Sequence, residues 1–252
     1  MPKPEYKILT GKDRPDLLKA TNNTVNKSWP EFMLHDPYVG EYWDALFLAY
    51  PEFHFGLQAN STGEFIALGN SVPLAWDGKP YDLPDKGIDW VLEQGFDDHS
   101  KGRPLKTLCA LQIVIDEAYR GKGLSSRMVR CMMATGMANS LDRLIAPVRP
   151  PSKSNYPLAP MDRFIRWKDN NGFPLDPWMR VHARLGAQTI KPCAESMLIT
   201  GTVDEWEKWA KMHFPESGSY IVPGALSPVE IDRQADTGTY IEPNVWMMHY
   251  LR

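Results

Sequence analysis

The chain has 252 residues, enough for one large domain or two small ones, and its 43% hydrophobic and 23% charged content is that of a folded globular protein. With 28 basic against 31 acidic residues the net charge is −3, which excludes a general nucleic-acid binder or an electrostatically attached membrane protein as the reading of the whole chain. Three cysteines (Cys109, Cys131, Cys193) show no metal-ligand or paired spacing, and MPKPEYKILTGKD has no apolar stretch of signal-peptide length; a reduced, metal-free, cytoplasmic protein is the expectation.

In chain order, Tyr6–Leu9 reads as a first strand, and a helix entered near Pro15 turns Leu17, Leu18, Thr21 and Val25 inward. An aromatic, proline-punctuated segment at 28–37, containing Trp29, leads to a helix from Val39 to Ala49 that carries Trp43. Phe53–Ala59 and Glu64–Val72 read as strands joined by the hairpin turn Asn60-Ser61-Thr62-Gly63, with Gly69 a candidate bulge. From Trp76 to Arg103 periodicity is lost around a short helix at Ile88–Glu93, and the segment reads either as a functional lid or as a surface insertion.

The rest of the chain is organised around residues 107–133. An apolar, β-branched run from Leu108 to Ile115 is followed by a polar turn with Gly121 and Gly123, and then Leu124, Met128, Val129, Met132 and Met133 recur at helical spacing. A turn at a helix start offers backbone N–H groups with no intrahelical partner, in the positive end of the helix dipole, so it suits an anion, most naturally a phosphate. Gly121 and Gly123 permit close backbone approach, and Arg120 and Lys122 add charge. Neither G-x-x-x-x-G-K-[ST] nor a complete G-x-G-x-x-G is present.

Asp142–Val148 then reads as a fifth strand, terminated by Pro147, Pro150 and Pro151. Residues 176–186 form a well-signalled helix, with Asp176 as N-cap, Pro177 at the first position and Gly186 past the end; Trp178, Val181, His182 and Leu185 share one face. Two short strands follow, Gln188–Lys191 and Met197–Thr200. Thr202–Glu205 is a capping box opening a helix through Trp206, Trp209 and Met212. The tail from Tyr220 reads as extended, supplying edge strands or a cover, and residues 1–252 as a single domain with an enlarged C-terminal part.

The run Arg120-Gly121-Lys122-Gly123-Leu124-Ser125, preceded by Tyr119, resembles the pyrophosphate loop of the GNAT acyltransferase superfamily, Gln/Arg-x-x-Gly-x-Gly/Ala, with Ser125 in the last position. The resemblance implies an α/β (α+β) GNAT fold, a mixed central sheet flanked by helices, whose parallel strands four and five splay apart to admit the pantetheine arm of an acyl-CoA. It implies that Ile113, Ile115 and residues Arg120 to Ser125 bind acetyl-CoA or another acyl-CoA as donor, without a metal. The acceptor is then a small-molecule amine or a carrier-protein thiol, and the chain a monomer or dimer. His182-Ala183-Arg184-Leu185-Gly186-Ala187 matches the family's Tyr-Glu-Lys-Leu-Gly-Phe, which puts His182 where a tyrosine acts as general acid. The alternative is a hydrogen-bonded core histidine. Trp29 and Trp43 are candidates to line the acceptor pocket, and Gln112 either points into the wedge or serves strand pairing. Asp116 and Glu117 orient loop backbone, and His35, His54, His99, His213 and His249 carry no motif.

From about Pro147 onward the chain also resembles the GNAT-like domains of polyketide synthase loading modules, which are associated with malonyl-CoA decarboxylation and acetyl transfer to an acyl carrier protein. That resemblance implies a decarboxylase role for His182 with a hydroxyl just after the fifth strand, where this chain has Pro151 and, adjacent to it, Ser152; Met197 and Leu198 stand where the subfamily carries an arginine. Three readings follow: acyltransferase, malonyl-type decarboxylase, or a catalytically idle acyl-CoA-binding protein.

Overall fold

In the computed structural model, which describes residues 5–251, the chain forms one nine-stranded mixed sheet flanked by helices. The strands are β1 (Tyr6–Thr10), β2 (His54–Ala59), β3 (Phe65–Leu74), β4 (Thr107–Ile115), β5 (Arg143–Val148), β6 (Gln188–Gly201), β7 (Gly218–Tyr220), β8 (Val229–Asp232) and β9 (Thr237–Tyr250). The helices are α1 (Leu17–Asn26), α2 (Pro37–Ala49), α3 (Gly87–Ser100), α4 (Leu124–Ala138), α5 (Met161–Phe164), α6 (Pro177–Arg184) and α7 (Val203–Ala210). Sheet order is β1-β2-β3-β4-β5-β9-β8-β7, with β6 also paired to β9. No helix among the described residues is long and apolar enough to cross a membrane.

β4 and β5 are parallel but share only three register pairs, Thr107 with Arg143, Leu108 with Leu144 and Cys109 with Ile145. Two local features stop the ladder. On β4 the register to β3 jumps from Asn70–Gln112 to Ser71–Ala110, so Leu111 is an extra residue that bends the strand. On β5, Pro147 pairs in register with Trp246 of β9 and has no N–H to offer a ladder, and the pairing with β4 ends two residues before it. The expected wedge is present. Gly69 is not at the bulge: a Cβ there would lie 2.7 Å from the Phe55 ring, so this glycine serves close packing.

The C-terminal tail meets its reading as edge strands at β7, which ends the sheet, and departs from it at β9. β9 is 14 residues long and lies inside the sheet, pairing with β6 along one edge and with β5 and β8 along the other. β5 takes Val245–Tyr250 and β8 takes Thr237–Thr239, leaving 240–244 on that edge between them. The strands read at 188–191 and 197–200 are one 14-residue strand interrupted by irregularities at Thr189/Lys191 and Cys193/Met197.

The second difference is α3, 14 residues where a short helix in a loop was expected. Ile88, Val91 and Leu92 pack inward, and the helix rests on α2, β3 and β6. The aspartates that blur its periodicity are buried and bonded. Asp98 accepts from Ala75 N–H, Gln94 Nε2 and Arg103 Nη1, each at 2.7 Å. Asp89 Oδ2 accepts from Leu198 N–H at 3.1 Å, and Asp36, the N-cap of α2, accepts from Val39 N–H at 2.9 Å. The remaining oxygens, Asp89 Oδ1 and Asp36 Oδ2, are buried with no other partner, and the two carboxyls hydrogen-bond each other, which requires a shared proton. Burial and then the Asp36 charge push Asp89 up from 3.8 to about 8.

Because the folded pair keeps a proton that the unfolded carboxyls release, this site costs stability progressively as pH rises from about 4 toward 8. Asp89→Asn preserves both hydrogen bonds without the titrating proton. Thermal melts should therefore show a higher Tm than wild type at pH 8 and a flatter decline between pH 5 and pH 8; an identical pH slope in the two proteins would mean that the carboxyls do not share a proton.

Candidate active site

A cavity of about 750 Å³ opens where β4 and β5 part. Its walls are Ala110–Ile113 of β4, Ala146–Val148 of β5 with Arg149 just beyond, Trp178 and His182 of α6, Glu242 and Asn244 of β9, and the inward faces of α1, α2 and the segment between them.

α6 is placed by its cap. Asp176 Oδ1 accepts from Trp178 and Met179 N–H at 2.8 and 3.0 Å, while Oδ2 accepts from Ser152 N–H and Oγ at 3.0 and 2.6 Å. The cap thus ties the helix start to the turn after β5 and fixes how Trp178 and His182, one helical turn apart, meet the cavity. It also engages Ser152, whose hydroxyl is not on the cavity wall. Gly186 ends the helix at φ +89°, with Ala187 N–H returning to the His182 carbonyl at 3.0 Å.

His182 is 4% exposed, and its Nδ1 lies 2.9 Å from Nε2 of His249 on β9, itself buried. Burial, and then the neighbouring His249, pull His182 down to about 3, and burial lowers His249 as well. Both rings are therefore neutral near pH 7. His182 therefore does not titrate near neutrality: its site is too dry for a resting imidazolium. One ring donates and the other accepts, and in either tautomeric arrangement His182 faces the cavity with Nε2. His249, which carries no sequence motif, is thereby the residue that orients His182.

Gln112 and Trp29 both line the cavity, as does Trp43. Gln112 Oε1 accepts from Asn70 Nδ2 at 2.9 Å, and Asn70 Oδ1 meets His54 Nδ1 at 3.1 Å, a polar line crossing three strands. Burial pulls His54 down to about 4, so it too is neutral and serves to orient Asn70.

The glycine loop lies at the other end of β4. Gly121 and Gly123 both have φ of +76°, and nothing stands within 4 Å of the Cβ positions, so conformation rather than space requires glycine there. Gly123 is the left-handed cap of α4, and Asp116 Oδ1 accepts from Ala118 N–H at 3.0 Å to shape the entry, as expected of that carboxylate. Arg120 and Lys122 are exposed. Arg120 Nε donates to the Ile115 carbonyl at 3.2 Å, and Lys122 Nζ sits 4.8 Å from the centre of the Tyr119 ring. Leu124 is buried in the core and Ser125 is half-buried on the first helical turn. Of the residues assigned to donor binding, Ile113 is on the cavity wall, whereas Ile115 ends β4, Arg120 to Gly123 form the loop and Leu124 and Ser125 open α4, all beyond that wall.

Motif reasoning missed the charged group on the cavity wall. Glu242 is fully buried; its carboxylate accepts from Tyr240 Oη and lies 2.6 Å from Arg149 Nε, an ion pair in which the N–H is not aimed at the oxygen. Ser196 Oγ accepts from Ile88 N–H at 3.1 Å, so its hydrogen goes to Asn244 Oδ1, and Asn244 Nδ2 turns to Glu242 Oε1 at 3.3 Å. Lys153, 1% exposed, donates to the carbonyls of Tyr156, Pro157 and Leu226 at 2.9, 3.1 and 2.6 Å. No local pattern marks these residues, because the gap in β9 pairing that assembles them is a long-range feature.

No protein-family model matches the chain. An arginine N-acetyltransferase, avaD of Aspergillus versicolor, is 29% identical over 275 residues, covering 98% of this chain and 94% of that protein. The loading GNATL domain of CurA from Lyngbya majuscula superposes with a TM-score of 0.62 at 16% identity over 98% of both chains. The GphF GNAT-like decarboxylase, solved with isobutyryl-CoA, gives 0.58 at 13% identity over 98% of this chain and 100% of that one. Arylalkylamine N-acetyltransferase 2 from Aedes aegypti gives 0.50 at 11% over 99% and 100%.

The histidine pair has a direct readout. In ¹H–¹⁵N spectra of the imidazole nitrogens, His182 should hold neutral-ring shifts from pH 8 down to pH 5, and His249 should protonate below the ordinary histidine range. A midpoint near 6.5 at His182 would refute the dry, neutral pair.

Proposed function

We propose that this chain, which has the GNAT fold of its structural neighbours, is an acyltransferase that moves an acetyl group from acetyl-CoA to the amine of a small molecule. The observation that carries the reading is the juxtaposition of His182 with the wedge between β4 and β5, at whose far end stands a left-handed glycine loop capping α4. The name of the 29%-identical relative, an arginine N-acetyltransferase, supports an amine or amine-like nitrogen as acceptor, and the isobutyryl-CoA complex of the GphF neighbour supports a CoA thioester as donor.

The loop residues fit the donor's diphosphate. The positive φ of Gly121 and Gly123 turns backbone N–H groups outward beside the start of α4, with Arg120 and Lys122 adding charge at the rim. Ile113 and Gln112 line the wedge for the arm that follows, and Trp29 and Trp43 line the acceptor side. His182 supplies proton transfer. As the acceptor nitrogen bonds to the thioester carbonyl carbon and the carbon–sulfur bond breaks, His182 Nε2 takes the nitrogen's proton and returns it to the departing thiolate. Its depressed basicity suffices, because a nitrogen bonded to a tetrahedral carbon bearing an alkoxide is far more acidic than a free ammonium. His249 Nε2 accepts the Nδ1 hydrogen throughout and holds the ring.

Two observations favour acetyl transfer over the other readings. Decarboxylation in the loading-module subfamily asks for a hydroxyl just past β5, and Ser152 Oγ is given instead to Asp176. An idle binding protein asks for a histidine turned into the core, and His182 lines the cavity.

Acetyl-CoA at about a hundred times its dissociation constant should stabilise the fold by roughly 2.7 kcal/mol, seen as a melting shift that Gly123→Asp abolishes. His182→Ala should keep that shift and lower kcat by roughly 10²–10⁴-fold. Absence of a melting shift with every CoA thioester would end this assignment.

A further inference from the structure

Three largely buried charged groups gather where Arg149 and Glu242 reach the cavity wall, Lys153 lying behind them, and these three do not balance. Lys153 donates to three carbonyls at once, which takes all three hydrogens of an ammonium, so it carries its charge despite being 1% exposed. Arg149 is charged at any relevant pH. Against these two cations stands one carboxylate, Glu242, buried between them and shared with Tyr240 Oη and Asn244. Buried charge is expensive unless compensated, and Arg149 is the cation of this group that lines the cavity, so a negative group bound beside it would complete the site.

Arg149 is the member positioned to receive that group. Its side chain is 16% exposed and lines the cavity. Nε lies against Glu242, Nη2 donates to the Gly224 carbonyl at 2.6 Å, and the guanidinium packs on the Trp29 indole, 5.7 Å from the ring centre. Among the described residues, Nη1 has no hydrogen-bond partner. Backbone, ion pair and aromatic ring together fix the guanidinium plane, leaving a pre-aimed donor on the cavity side. Trp29, the neighbour that holds it, lies in the segment between α1 and α2 that forms the wall opposite β4.

We propose that Arg149 is the specificity-determining residue for the acceptor and binds a carboxylate, so that the acceptors are amino acids or their carboxylate-bearing derivatives rather than plain amines. This rests on the acetyl-transfer reading above. The same chemistry has a second possible source, the free carboxylate of a dicarboxylic acyl donor such as malonyl-CoA, and the two sources separate experimentally.

The test compares each of two amino acids, arginine and lysine, with its decarboxylated analogue, agmatine or cadaverine, as acetyl acceptor for the full chain. Wild type should favour the carboxylated member in kcat/KM by at least tenfold and on the order of a hundredfold, the range of a hydrogen bond to a charged group. Arg149→Met should raise KM for the amino acid, leave kcat within about threefold, and bring the two acceptors level, while Arg149→Lys restores part of the preference. The acetyl-CoA melting shift checks that each variant is folded. Equal use of the two acceptors by wild type overturns the proposal without needing any variant. So does a loss in Arg149→Met that is equal for both acceptors, or one confined to the binding of malonyl-CoA against acetyl-CoA. If no acceptor is acetylated, isothermal titration of the same pairs into the CoA-saturated chain decides the subsite separately from the reaction: the amino acid binds and its analogue does not, or the subsite is refuted.

Discussion

The structure depends on β4 and β5 abandoning each other after three residue pairs. A parallel pair in mid-sheet ordinarily continues, since each unmade backbone hydrogen bond leaves a donor and an acceptor to be satisfied elsewhere. Here an inserted residue on one strand and a proline on the other make continuation impossible, and they act within a few residues of each other across the gap. The separation costs little because both strands are anchored on their other sides, β4 along the length of β3 and β5 along β9. What remains is a slot walled by two strand edges, closed at one end by the paired residues and open at the other toward the glycine loop.

β9 makes the slot useful. A strand 14 residues long, with β6 on one edge and two short strands sharing the other, carries the sheet past the point where β5 ends. The interval left between β5 and β8 faces the cavity with Glu242 and Asn244, and the same strand brings His249 under His182. One element thus supplies both the orienting ring behind the candidate catalytic residue and the carboxylate behind Arg149. Its own Tyr240 and Trp246, and Trp206 packed on it, are all fully buried, which gives the functional groups on it little freedom to drift.

Local chemistry was legible in the sequence wherever a few adjacent residues determine it. The strand, loop and helix at 107–133, the Asp176 cap with Pro177 and Gly186, the capping box at Thr202 and Glu205, and the turn at 60–63 all formed as read. His182, Gln112, Trp29 and Trp43, each offered from the sequence as a candidate beside an open alternative, all line the cavity. α3 was under-read because its aspartates look like solvent-facing breakers; only the fold reveals that Asp89 and Asp98 are buried hydrogen-bond hubs. The position of β9 was misread because pairing partners up to about a hundred residues away leave no trace in its own period. Arg149, Lys153 and Glu242 were invisible on the same ground, as no two of them are sequence neighbours in any motif.

The two charge states argued for the site follow from one cause. Drying the cavity wall removes the water that would stabilise an imidazolium, so His182 and His249 settle as neutral rings that pass a proton instead of storing one. The same drying lowers the effective dielectric around Arg149, where a charge pair at 4 Å is worth about 1 kcal/mol in water but about 4 kcal/mol at an effective dielectric of 20. An arginine cannot shed its proton to escape the penalty, as a histidine can. It must be compensated, and Glu242 is already divided between two cations. A negative group bound beside Arg149 would be held by the same dryness that keeps the histidines neutral.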